Sequence, residues 1–391
     1  MNDKAKKYQI CSRGIWDTSV PGITFDENGV SNYAKIFDKL CQAYPLGEKG
    51  KSDWEELVTQ IIEKGKDKQY DCIIGVSGGT DSSYLMHLSK VEYGLRPLAV
   101  TFDNGWSSEI SVKNIKKVTD KLNIDLETYV VDYEEMKAIH KAYMKASLPW
   151  IDFPTDFAIK NLLLSVARRE KIDYVFNGHD FRSEGTQPNE WTHGDSKQLN
   201  HILKNFGNVK IKTLPYLNYY SQVYLSTLKG IKSIKPFYYL DYQKKAAQDF
   251  LIKNYNWEYY GGHHHENIFT KFAISDWLVN KHKIDKRKIT LSAQILSGEI
   301  SREEALTKIS MPPYDPEQMG RDKDYVVKKL ELKMDEFEKI WSGTNKSIYD
   351  YPSYLGTIAK YSFLLKPLIK LVYHQPPTFL YQLEERNNNK L

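Results

Sequence analysis

At 391 residues, 41% hydrophobic and 27% charged, the chain is long enough to bury the core of one large α/β domain with additions, or of two domains. No stretch approaches the apolar length of a bilayer span, and Met1-Asn2-Asp3-Lys4-Ala5-Lys6-Lys7 has no apolar signal core, so a cytoplasmic protein without membrane insertion is expected. A formal charge of +5 with no concentrated basic block argues against nucleic acid as a partner, and Cys11, Cys41 and Cys72 form no even-numbered disulfide framework.

The segment before Lys51, punctuated by Gly and Pro, reads as a small N-terminal appendage, drawn as residues 1–60. An apolar run from Tyr70 to Val76 then ends at a Gly-rich turn. Leu85, Leu88 and Val91 follow at helical spacing, which predicts strand, loop and a helix from Asp81 to about Val91. Further strands are expected at Pro97–Phe102, Leu126–Val131 and Tyr174–Asn177, with helices at Glu109–Leu122, Glu134–Met144 and Asp156–Glu170. This alternation predicts an α/β fold, a parallel sheet with helices on both faces, over residues 61–260. Residues 261–391 read as mainly helical, with Ser301-Arg302-Glu303-Glu304 as a capping box and a polar tail from Glu384 to Leu391 that should fray.

The chemistry is concentrated in Ser77-Gly78-Gly79-Thr80-Asp81-Ser82. Two glycines let the backbone approach a ligand, and a helix starting near Asp81 presents unpaired N–H groups and a positive dipole end, a setting for phosphate. The Lys of a Walker A loop is missing and Asp81 stands on the loop instead, so a divalent cation, Mg²⁺, is expected between its carboxylate and the phosphates of ATP. After the second strand, Asp103 and Asn104 either hold adenosine or substrate, or form a plain Asn-Gly turn with Gly105. After the fourth strand come Gly178, expected near nucleotide, and Arg182 and Glu184, where the guanidinium would clamp a sugar carboxylate or phosphate or else form a surface ion pair.

Ser77 to Ser82 resembles the SGGxDS signature of the PP-loop ATP pyrophosphatases, a Rossmann-like branch of the adenine nucleotide α-hydrolase fold. The resemblance implies cleavage of ATP to AMP and pyrophosphate, adenylation of a carbonyl-type oxygen, and displacement of AMP by a nucleophile. Asp17-Thr18, Pro21 to Val30, Phe102-Asp103-Asn104-Gly105-Trp106, Arg182 to Gly185, Gly261 to Asn267 and Asp285 to Lys288 are together similar to the N-acetyl sugar amidotransferases of surface-polysaccharide (O-antigen) biosynthesis. This implies conversion of an N-acetyl group on a nucleotide-linked sugar to an acetamidino group, with ammonia as nucleophile. The resemblance also suggests Trp106 and His263 at the substrate, and His264 or Glu266 as a base. Lys271 and the Lys286-Arg287-Lys288 cluster would neutralise pyrophosphate, or else form a solvated basic helix end.

No cysteine has the surroundings of a glutaminase nucleophile, so ammonia is expected from a separate glutaminase subunit. Relatives carry four cysteines at zinc-ribbon spacing; here the positions are Cys11, Gly14, Ser31 and Ala34, so no zinc site is expected and packing of Ile15, Trp16, Ile23 and Phe25 should hold that segment. Two other readings compete: a tRNA-thiolating PP-loop enzyme, which would need a catalytic cysteine, and an inactive nucleotide-binding partner subunit.

Overall fold

The computed structural model describes residues 7–262, 265–361, 375 and 378–388. Its centre is a five-stranded sheet in the order β3-β2-β1-β4-β5, with β1 Cys72–Gly75, β2 Pro97–Asp103, β3 Leu126–Val130, β4 Tyr174–Phe176 and β5 Lys232–Ile234. All neighbours pair in parallel. In β1 successive side chains point to opposite faces, and both faces are covered. Ile73 joins the core formed with Tyr133–Ala146 and Phe153–Arg169, while Cys72 and Ile74 join the core formed with Glu48–Gly65, Thr80–His87 and Glu109–Leu122. This is the expected doubly wound α/β fold.

The chain builds β1, β2 and β3 toward one edge and then returns to place β4 and β5 on the other side of β1. The connections leaving the C-terminal ends of β1 and β4 therefore diverge and leave a crevice between them, the place where open α/β sheets take ligands. The Ser77 loop follows β1, and Asn177-Gly178 follows β4.

Several elements differ from their predicted form. The first helix after the loop spans Thr80–His87 and continues as a π-turn over Leu88–Glu92. β5 was not anticipated, because Lys232-Ser233-Ile234 is too short and too polar to carry a period. The N-terminal stretch contains the helix Asn32–Ala43, which buries Tyr33, Ile36, Phe37 and Leu40 at helical spacing. Beyond Gly261 the described residues are mainly helical, as expected, and the capping box is present, with Glu304 N–H donating to Ser301 Oγ at 3.1 Å and Ser301 N–H to Glu304 Oε2 at 2.8 Å. Within the predicted polar tail, the described residues from Glu384 to Asn388 are helical. A helix runs over Thr378–Asn388, and Glu385 pairs with Lys39 at 2.5 Å.

Near the N-terminus, Trp16 and Ile23 are buried with Cys11 and Ala34, Phe25 packs against them, and Ile15 is buried in a neighbouring cluster. Ser31 N–H donates to Cys11 Sγ at 3.3 Å, and a Cβ on Gly14 would lie 2.7 Å from the Trp16 ring, so indole fills the space around residue 14. Among the described residues no group of three or more His, Cys, Asp or Glu side chains is placed to hold a metal, and no helix is long and apolar enough to cross a membrane.

Ile74 is fully buried in the central strand, so Ile74→Ala should lower stability by about 2–5 kcal/mol in urea denaturation, whereas Val91→Ala, at an exposed position, should stay within about 0.5 kcal/mol of wild type.

Candidate active site

After β1 the backbone turns through Gly78 at φ +77°, a left-handed conformation; a Cβ there would also lie 2.2 Å from the Ser111 carbonyl oxygen. The Gly78 carbonyl accepts from the Trp257 indole at 3.0 Å and Asn114 Nδ2 at 3.4 Å, so the loop is clamped from behind. Gly79 caps the Thr80–His87 helix with no side-chain acceptor, so its first N–H groups are not satisfied by a cap side chain. The Tyr260 hydroxyl reaches the Thr80 N–H at 3.4 Å, and Gly79 N–H donates to Ser77 Oγ at 3.3 Å.

Two carboxylates border this anion-seeking loop. Asp81 accepts from Lys244 Nζ at 2.9 Å and from the Tyr242 hydroxyl, and Lys244 lies 3.8 Å from Glu184, which is in turn bonded to His179 Nδ1. Burial works against the Lys244 charge, but Asp81 and Glu184 outweigh it and raise its pKa. On the other side Ser77 Oγ donates to Glu266 Oε1 at 3.4 Å. Glu266 is brought there by the pairing of its segment with the loop after β2, in which Ser108 N–H donates to the Glu266 carbonyl at 2.8 Å and Ile268 N–H to the Trp106 carbonyl at 2.9 Å. Mg²⁺ binds readily through one or two carboxylates together with substrate phosphates. Glu266 and Asp81 flank the loop in that way, although Asp81 already shares its charge with Lys244.

Ser77, Gly79, Asp81, Ser82, Gly178, Glu184, Glu266 and Lys286 line one cavity of about 520 Å³. A Cβ on Gly178 would lie 3.1 Å from Asp81 Cβ, so glycine here lets the β4 loop lie close against the β1 loop. Gly78 and Thr80 sit behind the loop, Thr80 beside a smaller cavity of about 180 Å³.

Other predicted residues lie elsewhere. Asp103 and Asn104 make the Asn-Gly turn: Asp103 Oδ1 accepts from Gly105 N–H at 2.8 Å, and buried Asn104 accepts from Trp106 N–H and Asn267 Nδ2, both at 3.1 Å. Trp106 is fully buried against Phe269 and His140, a core residue and not a substrate platform. Arg182 donates to the carbonyls of Tyr44 and Tyr238 at 2.5 and 3.2 Å and stacks over Phe181, so it is no anion clamp. Arg287 is spent on Asp285 and the carbonyls of Lys308 and Met311, and Lys288 on Asp17. Of that basic cluster Lys286 alone lines the loop cavity. Lys271 pairs with Asp322 at 2.5 Å in a neighbouring cavity, away from the loop. His263 and His264 lie outside the described residues.

Sequence reasoning missed Tyr242, Lys244 and Tyr260 around the loop. It also missed Asp152, Thr155 and Asp156, which begin the helix Phe153–Arg169 and form the far wall of the cavity. The signal for the latter was Asp152-Phe153-Pro154-Thr155-Asp156, a Pro-started helix N-terminus.

Residues 266–364 match the family described as LPS biosynthesis protein WbpG-like, C-terminal domain. An uncharacterized protein of Methanocaldococcus jannaschii is 33% identical over 92 residues, 24% of this chain and 32% of that protein, so the match spans about a third of that relative's length. Among solved structures, an NH3-dependent NAD synthetase from Campylobacter jejuni is 15% identical, with 72% of this chain and 97% of that one covered and a TM-score of 0.30. The U34-tRNA thiolase NcsA from Methanococcus maripaludis is 17% identical, with 66% and 82% covered and a TM-score of 0.32.

Asp180, buried at the start of the short helix Phe181–Glu184, has its pKa pushed up to about 6 by burial. A folded pKa above the unfolded value of about 4 means that its stabilising contribution is full below about pH 4 and is lost as pH rises toward 6. Asp180→Asn should therefore flatten the dependence of Tm on pH across that window; an unchanged slope would contradict the assignment.

Proposed function

We propose that the protein is an ATP-dependent amidotransferase that releases AMP and pyrophosphate and converts the N-acetyl group of a nucleotide-linked sugar to an acetamidino group in lipopolysaccharide biosynthesis. The observation that carries this reading is the joint construction of one cavity by two parts of the chain. The Ser77–Ser82 loop supplies an anion site at the sheet's switch point, and Glu266, the first residue of the WbpG-like stretch, closes over Ser77.

In this reading the loop N–H groups and the helix end hold the β- and γ-phosphates and stabilise the charge that develops as pyrophosphate leaves. Asp81 would hold Mg²⁺, which when bound would supply charge neutralisation at the phosphates. The acetamido oxygen attacks the α-phosphorus, the bond to the β-phosphate oxygen breaks, and a protonated O-adenylyl imidate forms. Ammonia then adds to the imidate carbon, the carbon–oxygen bond to AMP breaks, and one proton leaves as the amidinium forms. Glu266 is the group we assign to take that proton, since its carboxylate stands at the loop.

Cys11 and Cys72 are buried and no cysteine lines the cavity among the described residues, which supports an external source of ammonia, a separate glutaminase, and disfavours a thiol relay of the tRNA-thiolating kind.

The test is turnover of ATP by the purified chain with Mg²⁺, an ammonium salt and a panel of nucleotide-linked N-acetyl sugars. AMP and pyrophosphate should appear together with a sugar lighter by the difference between O and NH. Ser77→Ala and Glu266→Gln should each lower kcat by about 10²–10³. Release of ADP in place of AMP would contradict the proposal.

A further inference from the structure

A second cavity of about 550 Å³ adjoins the loop cavity, and Gln187 and Lys286 line both. Cavities of this size each suit one ligand of nucleotide or drug dimensions. ATP occupies the first in the function proposed above, so the second reactant needs room of its own within reach of the α-phosphate.

The walls of the second cavity indicate what that reactant is. Two ionic pairs stand at them, with Lys271 Nζ 2.5 Å from Asp322 and the Arg287 guanidinium on Asp285 at 2.7 and 3.1 Å, and Lys286 and Asp315 line the cavity beside them. Such pairs offer directed hydrogen-bond partners without net charge. Beside them stands an aromatic face, Tyr314 stacked on His265 with centroids 4.8 Å apart and planes at 26°. A planar aromatic surface next to neutralised polar groups fits a pyranose, whose C–H face is apolar and whose rim carries hydroxyls.

The junction completes the argument. Gln187 Oε1 is buried and has no hydrogen-bond partner among the described residues, and Lys286 Nζ lies 4.5 Å over the Trp150 ring. A buried acceptor left without a donor is costly, and an amide N–H arriving from a ligand would satisfy it. Accepting from an acetamido N–H would also move electron density toward the acetamido oxygen, the atom that must attack phosphorus. The Lys286 ammonium would stand where negative charge collects on the α-phosphate.

We infer that the second cavity seats the pyranose ring of the substrate against Tyr314, and that the acetamido arm passes between Gln187 and Lys286 to reach the loop cavity. This assignment rests on the function proposed above. It is tested by saturation-transfer NMR on the full chain with α,β-methylene-ATP, using UDP-N-acetylglucosamine, its galacto and manno epimers and the corresponding free sugars. Wild type should transfer saturation to ring and acetyl protons of at least one sugar in both linked and free form. Tyr314→Ala should weaken that sugar by roughly tenfold or more, Tyr314→Phe should retain it, and neither should change affinity for the ATP analogue. Absence of any sugar signal with wild type, unchanged sugar affinity in Tyr314→Ala, or an equal loss of analogue affinity would overturn the inference. Sugar binding without AMP release in turnover would instead remove the proposed reaction and leave the cavity assignment standing.

Discussion

An anion-binding loop that carries its own carboxylate is electrostatically unstable unless something offsets the negative charge. In this chain the offset for Asp81 is Lys244, 2.9 Å away and itself bracketed by Glu184. The ammonium is largely shielded from solvent, and it keeps its charge because two carboxylates share it. The resulting chain of His179, Glu184, Lys244 and Asp81 ties the loop after β4, the helix Lys244–Tyr255 and the loop after β1 into one polar unit. Removing Lys244 would leave the Asp81 and Glu184 carboxylates without the cation they share.

The sheet order decides why these groups meet. Because strands are added outward from β1 in opposite senses on its two sides, the loops after β1 and β4 face a common crevice, and Gly178 permits contact with Asp81 that any Cβ would crowd. The pairing of Trp106–Ser108 with Glu266–Ile268 then brings a carboxylate from the WbpG-like stretch over the loop from the opposite side. Packing on both faces of β1 holds this arrangement in place, as the proposed cleavage between the α- and β-phosphates requires.

Much of this was legible in the sequence. The apolar runs of β1 to β4 and the helical spacings between them fixed a doubly wound α/β fold, and Ser77 to Ser82 marked the loop. β5 was invisible because three residues give no period, and the helix Asn32–Ala43 was hidden by the Gly- and Pro-rich segment before it. Residue type proved a weak guide to which charges face the cavity. Arg182, Arg287 and Lys288 look like anion binders in one dimension but are consumed by carbonyls and carboxylates, while Lys286, between them in type and position, reaches the cavity. Lys244 and Tyr242 could not be read at all, since their meaning depends on a contact with Asp81 more than 160 residues away in the chain.

The central claim is that the substrate's acetamido oxygen, and no water or phosphate oxygen, is the atom transferred to AMP. Turnover of an N-acetyl sugar labelled with ¹⁸O at the acetyl carbonyl, followed by mass analysis of the nucleotide product, tests this directly. The account predicts that every AMP formed carries the label. Unlabelled AMP, with the label retained in the sugar or lost to water, would contradict it.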